Sequence, residues 1–162
     1  MRQPDAQGPL TAAAGARFAL IVSRFNDAIT SRLGAGARRA LLEAGASDDQ
    51  VETFIVPGAF ELPQAARRVA ETGRFDAVVC LGCVIRGETS HFEYICAAAA
   101  HGLMRASDET GVPMAFGVLT TDTWEQADAR AGDGRDNKGF EAAAAALEMA
   151  ALFRTVRAGS RS

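Results

Sequence analysis

Ala77-Val78-Val79-Cys80-Leu81-Gly82-Cys83-Val84-Ile85-Arg86-Gly87-Glu88-Thr89-Ser90-His91-Phe92-Glu93-Tyr94-Ile95 is the stretch whose reading decides the fold. It opens on an apolar run, Ala77 to Leu81, without polar alternation, the pattern of a strand buried on both faces. Within a few residues it turns polar. Arg86-Gly87-Glu88-Thr89-Ser90 supplies a flexible glycine and a Thr/Ser pair suited to cap a helix, and Phe92, Ile95, Cys96, Ala99 and Leu103 follow at helical spacing. A strand therefore passes into a helix through a glycine turn. The first N–H groups of such a helix lack internal partners and lie at the positive end of its dipole, which suits them to hold a phosphate. His91 falls in the first helical turn, beside that anion. Histidine is the side chain whose chemistry suits proton transfer near neutrality, and the chain has one other, His101.

On either side of this stretch, three more apolar runs, Phe18 to Val22, Phe54 to Val56 and Met114 to Leu119, alternate with helical patterns, which implies a parallel sheet. Ile29, Leu33, Ala37, Ala40 and Leu41 mark one helix face, closed by Gly45. Leu62, Ala65, Ala66, Val69 and Ala70 mark another, closed by Gly73. A short helix starts near Trp124, and a long one runs from about Asn137 with Phe140, Ala144, Leu147 and Ala151 on one side. Right-handed crossovers then give an α/β fold, a single-domain three-layer α/β/α sandwich around a doubly wound four-stranded parallel sheet. There is no internal repeat, linker or second domain. The expected division is a flexible N-terminal arm over residues 1–16, a domain over 17–158 and a tail over 159–162.

At 162 residues the chain is one domain long. A formal charge of −3 offers no basic face for nucleic acid or acidic lipid, and no apolar stretch approaches the ~20 residues that cross a bilayer. The expectation is a cytoplasmic protein that acts on small molecules, with no nucleic-acid or membrane partner. Three cysteines, at 80, 83 and 96, are an odd number in apolar surroundings and are expected to be reduced. Cys80-x-x-Cys83 has the spacing of half a zinc site or a redox pair, but on a strand two residues three apart point to opposite faces. No metal site is therefore expected. Residues 1–16 lack the charged start and leucine-rich core of a signal peptide; they are expected to be mobile or docked on a neighbour.

In a doubly wound sheet, ligands bind beyond the carboxyl ends of the strands, so the residues after each run carry the functional reading. The first run is followed by Ser23-Arg24-Phe25-Asn26-Asp27. Here Phe25 either packs beneath the next helix, capped by Asn26 or Asp27, or stands as a stacking platform. The second is followed by Pro57-Gly58-Ala59-Phe60-Glu61-Leu62-Pro63, where Glu61 is either a favourable charge in a first helical turn or an acceptor for sugar hydroxyls. The fourth is followed by Thr120 to Ala127 and by a glycine-rich link carrying Arg130, Arg135 and Lys138. Thr123 and Gln126 have the spacing of a capping box. The cations are either solvated loop charges or a means of closing over a phosphate. Gly34-x-Gly36 has Arg39 where a dinucleotide fingerprint needs glycine, and no Gly-x4-Gly-Lys-Ser/Thr loop occurs.

Taken in order, Arg24-Phe25-Asn26, Pro57-Gly58-Ala59-Phe60-Glu61, Gly82 to Tyr94, Phe116 to Thr121, Glu125-Gln126-Ala127, Arg130-Ala131-Gly132 and Asn137-Lys138-Gly139 resemble the lumazine synthase family, from about Arg17 to Val156. The resemblance implies a flavodoxin-like fold. It also implies an enzyme of riboflavin biosynthesis that condenses 5-amino-6-ribitylaminouracil with 3,4-dihydroxy-2-butanone 4-phosphate to 6,7-dimethyl-8-ribityllumazine, without metal or organic cofactor. By the same resemblance Phe25 stacks on the pyrimidine, Ala59, Phe60 and Glu61 hold the ribityl chain, and Cys83, Val84 and Ile85 line the floor under the uracil. Gly87, Glu88 and Thr89 present the helix N-terminus to phosphate, and His91 transfers protons. Phe116, Arg130 and Lys138 match positions that the family supplies from an adjacent subunit, Arg130 to the phosphate. Cys83 stands where threonine is frequent, and Glu88 puts a carboxylate near the anion, so that position offers its backbone.

The resemblance further implies a homo-oligomer with shared active sites, a pentamer in preference to a sixty-subunit shell, which Gly132 to Gly139 leaves possible because it carries no evident insertion. The substrate's own amine attacks the ketone, so the protein needs no nucleophile. His101, without a motif match, is read as structural. Two alternatives remain: a lumazine- or flavin-binding or storage shell of the same fold that has lost the chemistry, and a generic flavodoxin-like nucleotide binder.

Overall fold

The computed structural model describes residues 10–159. Four strands, β1 (Phe18–Ser23), β2 (Val51–Val56), β3 (Ala77–Ile85) and β4 (Met114–Thr121), alternate with helices α1 (Asp27–Glu43), α2 (Leu62–Glu71), α3 (His91–Thr110), α4 (Trp124–Asp128) and α5 (Lys138–Gly159). All strand pairs are parallel, in the order β2-β1-β3-β4. The order turns back between β1 and β3, which opens a crevice at their carboxyl ends. Among the described residues no helix is long and apolar enough to cross a membrane.

The alternation of side chains along the strands makes two separate cores. Phe18, Leu20, Val22, Leu81 and Cys83 face α1 and α5, where Leu33, Ala37, Ala143 and Leu147 meet them. Ala19, Ile21, Val78 and Cys80 face the opposite layer, with Leu62 and Val69 of α2 and Leu103 of α3. Cys80 and Cys83 thus lie on opposite faces of the sheet, as their spacing on a strand requires. Gly45 and Gly73 both have positive φ just past the ends of α1 and α2, the conformation the stop signals called for.

The strands run further than their apolar runs, β3 to Ile85 and β4 to Thr121, because their ladder continues through Val84 with Thr120 and Ile85 with Thr121. The face expected for α5 is corrected. Its buried residues are Gly139, Ala142, Ala143, Ala146, Leu147 and Ala150, while Ala151 is exposed and Phe140 and Ala144 are half-buried. A helix whose middle is a run of alanines carries no apolar stripe from which to read its rotation. Contact with α1 sets that rotation instead: a methyl at Gly139 would overlap the backbone carbonyl of Leu33, so the two helices meet main chain to main chain.

Of the arm expected over residues 1–16, residues 1–9 lie outside the described residues, as do 160–162 of the tail. Leu10, Ala12 and Ala13 pack on the α1/α5 core, the N–H of Ala12 donates to the carbonyl of Ala44 at 2.8 Å, and Arg154 donates to the carbonyl of Ala14 at 3.1 Å.

Candidate active site

The chain leaving β1 stays bound to its neighbours for three residues. Arg24 N–H donates to Val56 O at 2.9 Å and Phe25 N–H to Pro57 O at 3.0 Å. Asn26 then turns the backbone into the left-handed region, with φ 62°. Asparagine tolerates that conformation better than most residues. Its side chain does not cap α1, which corrects the capping expectation; instead Asn26 Nδ2 donates to Cys83 O at 2.9 Å, tying the end of β1 to β3 across the crevice. Phe25 is consequently held out of the core with 70% of its surface exposed, so of its two readings the packed one fails.

After β2, Ala59–Glu61 form a single 3-10 turn in which Ala59 is buried, Phe60 is 61% exposed and Glu61 is half-buried at the start of α2. The Glu61 carboxylate folds back over the turn, close enough that a Cβ on Gly58 would lie 3.2 Å from Oε2. A Cβ on Gly82 would lie 3.1 Å from Ser23 Oγ, 3.2 Å from Leu62 Cδ1 and 3.5 Å from Ala59 Cβ. The absence of that side chain lets β1, β3 and the turn after β2 close together beneath the crevice.

At the end of β3, Cys83 is buried, and Val84 and Ile85 are half-buried. Burial pushes the Cys83 thiol up to about 11 and that of Cys80 up to about 12. Both are protonated near neutrality, and neither is a nucleophile. The turn from Arg86 to Ser90 is exposed throughout, and His91 opens α3, also exposed. The expected Thr/Ser cap is corrected: Ser90 makes no capping bond, and the hydroxyl of Thr89 accepts from His91 N–H at a long 3.4 Å. Among the described residues the N–H groups of Gly87, Glu88 and Thr89 have no protein partner. Arg86 is bound on several sides. Its N–H donates to Thr121 O at 2.9 Å, its Nε to Asp122 Oδ1 at 2.7 Å and its Nη1 to Glu93 Oε1, and its guanidinium stands 4.4 Å over the Phe92 ring. The two carboxylates raise the Arg86 pKa, and the guanidinium holds the Glu93 carboxyl below its ordinary value.

Beyond β4, the capping box forms as its spacing indicated: Gln126 N–H donates to Thr123 Oγ1 at 3.2 Å, and Thr123 N–H donates to Gln126 Oε1 at 3.4 Å. Arg130 is exposed, its Nη1 donating to Gln126 O at 2.8 Å, and Lys138 Nζ reaches Glu141 at 2.8 Å. Asn137 is the buried organiser of this segment. Its Nδ2 donates to Arg32 O at 3.1 Å and Gly132 O at 2.8 Å, while its Oδ1 accepts from Gly139 N–H at 2.8 Å and Phe140 N–H at 3.1 Å.

The fold therefore gathers Phe25, Ala59, Phe60, Glu61, Cys83, Val84, Ile85, Gly87, Glu88, Thr89 and His91 around the carboxyl ends of β2, β1 and β3. It does not gather Phe116 with them. Phe116 pairs with Cys80, three residues below Cys83, which lowers it by about 10 Å along the edge strand. Arg130 and Lys138 follow that same edge, across the sheet from Glu61. His101 is exposed on α3, not buried in a packed helix face. The parts that sequence reading passed over are the links: Arg86 with Asp122 and Glu93, and Asn137. Asn137 stands in a quoted motif, but only its burial reveals its part.

The sequence model of the 6,7-dimethyl-8-ribityllumazine synthase family matches residues 15–154. A curated relative from Syntrophus aciditrophicus (strain SB), named 6,7-dimethyl-8-ribityllumazine synthase, is 54% identical over 144 residues, covering 89% of this chain and 94% of the relative.

Proposed function

The chain belongs to the 6,7-dimethyl-8-ribityllumazine synthase family, and on that premise we propose how its residues divide the work. The enzyme condenses 5-amino-6-ribitylaminouracil with 3,4-dihydroxy-2-butanone 4-phosphate, both small molecules, and releases phosphate and water. The family assignment favours this transferase over a shell that binds or stores flavin without turnover.

The reading of the site is supported most by one feature, the convergence at the crevice between β1 and β3 of an exposed Phe25, a folded-back Glu61 and three N–H groups without a partner among the described residues. Phe25 offers a ring face to the pyrimidine, Glu61 and the Ala59–Phe60 turn accept the ribityl chain, and Cys83, Val84 and Ile85 form the floor. The N–H groups of Gly87, Glu88 and Thr89 take the phosphate at the start of α3. The amine of one substrate attacks the ketone of the other, water leaves as the imine forms, phosphate is eliminated, and the ring closes as the ribityl-bearing amine adds to the remaining carbonyl with loss of a second water. Each step moves protons, and His91 at the mouth of the crevice carries them. Holding the two reactants together supplies much of the remaining rate.

The same site is completed by a neighbouring subunit. The acids at this turn, Glu88, Glu93 and Asp122, outnumber its one cation, Arg86, whose charge is already taken up by two of them. Such a turn needs a cation from elsewhere to hold a dianion. Arg130, with Lys138 and the half-exposed Phe116, lies on the β4 side, where a cyclic ring brings that edge against the crevice of the next chain. The assembly is a cytoplasmic ring of five in preference to a shell of sixty, with residues 17–158 as its domain.

The test is to unfold and refold together two inactive variants, Arg130→Ala and Glu61→Ala. Mixed rings contain some crevices with both residues intact, and activity is expected to return in part. Mixed oligomers as inactive as either parent would place Arg130 outside its neighbour's site.

A further inference from the structure

We propose that Arg86 is a positioning residue, a strut that fixes the phosphate turn without touching the phosphate. The inference rests on the reading of Gly87 to Thr89 as the anion site. That turn has little else to hold it. It is exposed, includes a glycine, and among the described residues the backbone N–H groups of Gly87 to Ser90 meet no protein acceptor, while His91 N–H makes only the 3.4 Å contact with the Thr89 hydroxyl. Donors that await an anion cannot also be the bonds that shape the turn.

Arg86 supplies the missing constraint from the residue just before it. Its N–H bond to Thr121 O extends the pairing of β3 with β4 by one residue beyond Ile85. Its guanidinium reaches Asp122 at the end of β4 and Glu93 in the first turn of α3, and lies on the ring of Phe92, which is buried under that same turn. One planar fork thus joins the strand that enters the turn, the helix that leaves it and the neighbouring strand. Asp122 is itself held, its N–H donating to Gln126 Oε1 at 2.8 Å inside the capping box of α4.

Two features separate a strut from a direct phosphate ligand. Asp122 and Glu93 already occupy Nε and Nη1 of the guanidinium and offset its charge, so a phosphate could meet only Nη2, beside two carboxylates that repel it. The ion pairs are also exposed, with side chains from 45 to 63% accessible, so their net contribution to stability is small. Their effect falls on geometry, to which an anion site is sensitive: misplacing groups by ~1 Å can cost as much as ~10²-fold.

The test uses the assembled enzyme and inorganic phosphate as probe, with binding measured by calorimetry for Asp122→Glu, Arg86→Lys and Arg86→Met. All three are expected to weaken phosphate roughly tenfold and to raise the KM for the butanone phosphate more than they lower kcat. Affinity for a ribitylaminouracil analogue and the urea midpoint should stay near wild type. Asp122→Glu decides between the readings, because it keeps the charge and displaces the carboxylate by one methylene. A strut loses its geometry and binding weakens, whereas a phosphate ligand restrained by the acids would be unaffected or freed, so a rise or no change overturns the strut. Wild-type phosphate affinity in Arg86→Lys, which keeps the charge but not the fork, overturns it equally. Arg130→Ala is the control for the underlying site. If it weakens phosphate while the other three do not, the strut alone fails; if all four leave phosphate unaffected, the reading of the turn as the anion site fails with it.

Discussion

Removing the Asn137 side chain should be the most damaging single truncation near the site that leaves every proposed substrate contact in place. The residue is 1% exposed and makes four hydrogen bonds, two as donor to Arg32 O and Gly132 O and two as acceptor from Gly139 and Phe140. Asn137→Ala leaves two carbonyls and two N–H groups without those partners. At about 1 kcal/mol for each net bond, the loss comes to about 4 kcal/mol, and more for any group that water does not reach. That is a quarter or more of the stability of an ordinary domain. For a chain of this length it lowers Tm by roughly 8–16 °C. Urea unfolding followed by circular dichroism, at one fixed protein concentration because an oligomer's stability depends on it, measures the change. Asn137→Asp separates the contributions. It keeps an acceptor at the start of α5, where an anion suits the helix dipole, but turns an oxygen towards two carbonyls that had received N–H bonds. We expect a loss of at least about 2 kcal/mol for Asp as well. If Asp is as stable as wild type, capping of α5 is the whole role of Asn137, and the link to α1 and Gly132 contributes nothing. A cost under about 1 kcal/mol for Ala would refute the count of bonds altogether.

His91→Asn should slow turnover on the order of 10²-fold while leaving binding of a ribitylaminouracil analogue nearly intact, and His101→Asn, exposed on α3, should change neither; equal losses in steady-state assays would remove His91 from proton transfer. The buried thiols give a dependence on alkaline pH. Their folded pKa values, about 11 for Cys83 and about 12 for Cys80, lie above the ordinary 9.0, so the unfolded chain releases these protons first. Stability is full below pH 9.0, falls as pH rises through about 11 to 12, and then levels off. Urea midpoints across this range should fall less steeply in Cys83→Ala than in wild type, and native Cys83 should resist iodoacetamide at about pH 8; rapid alkylation of the folded protein would contradict the burial.

The sequence by itself determined the layers and their winding. Runs such as Ala77 to Leu81 are apolar on both faces and alternate with helices that end at Gly45 and Gly73, and few arrangements other than a doubly wound parallel sheet bury such runs. It also located the functional segments, since in this winding they must follow the strands, and ordered motifs from Arg24-Phe25-Asn26 to Asn137-Lys138-Gly139 carried the family. Tertiary structure alone decided which side chains serve as ligand contacts and which as links. Asn26 had the composition of a cap and bonds across the crevice to Cys83 O; Ser90 had it too and caps nothing; Asn137 caps α5 and binds α1 and its own loop at once. The rotation of α5 was equally hidden, because a stretch of alanines presents the same surface on every side until Gly139 meets the Leu33 carbonyl. Capping residues and alanines are defined by short-range chemistry that many surroundings satisfy. Apolar periodicity is set by burial, which acts on a whole face at once and therefore leaves its mark on the order of residues. The partners of a single polar group come from distant parts of the chain, and only their assembly in space selects among them.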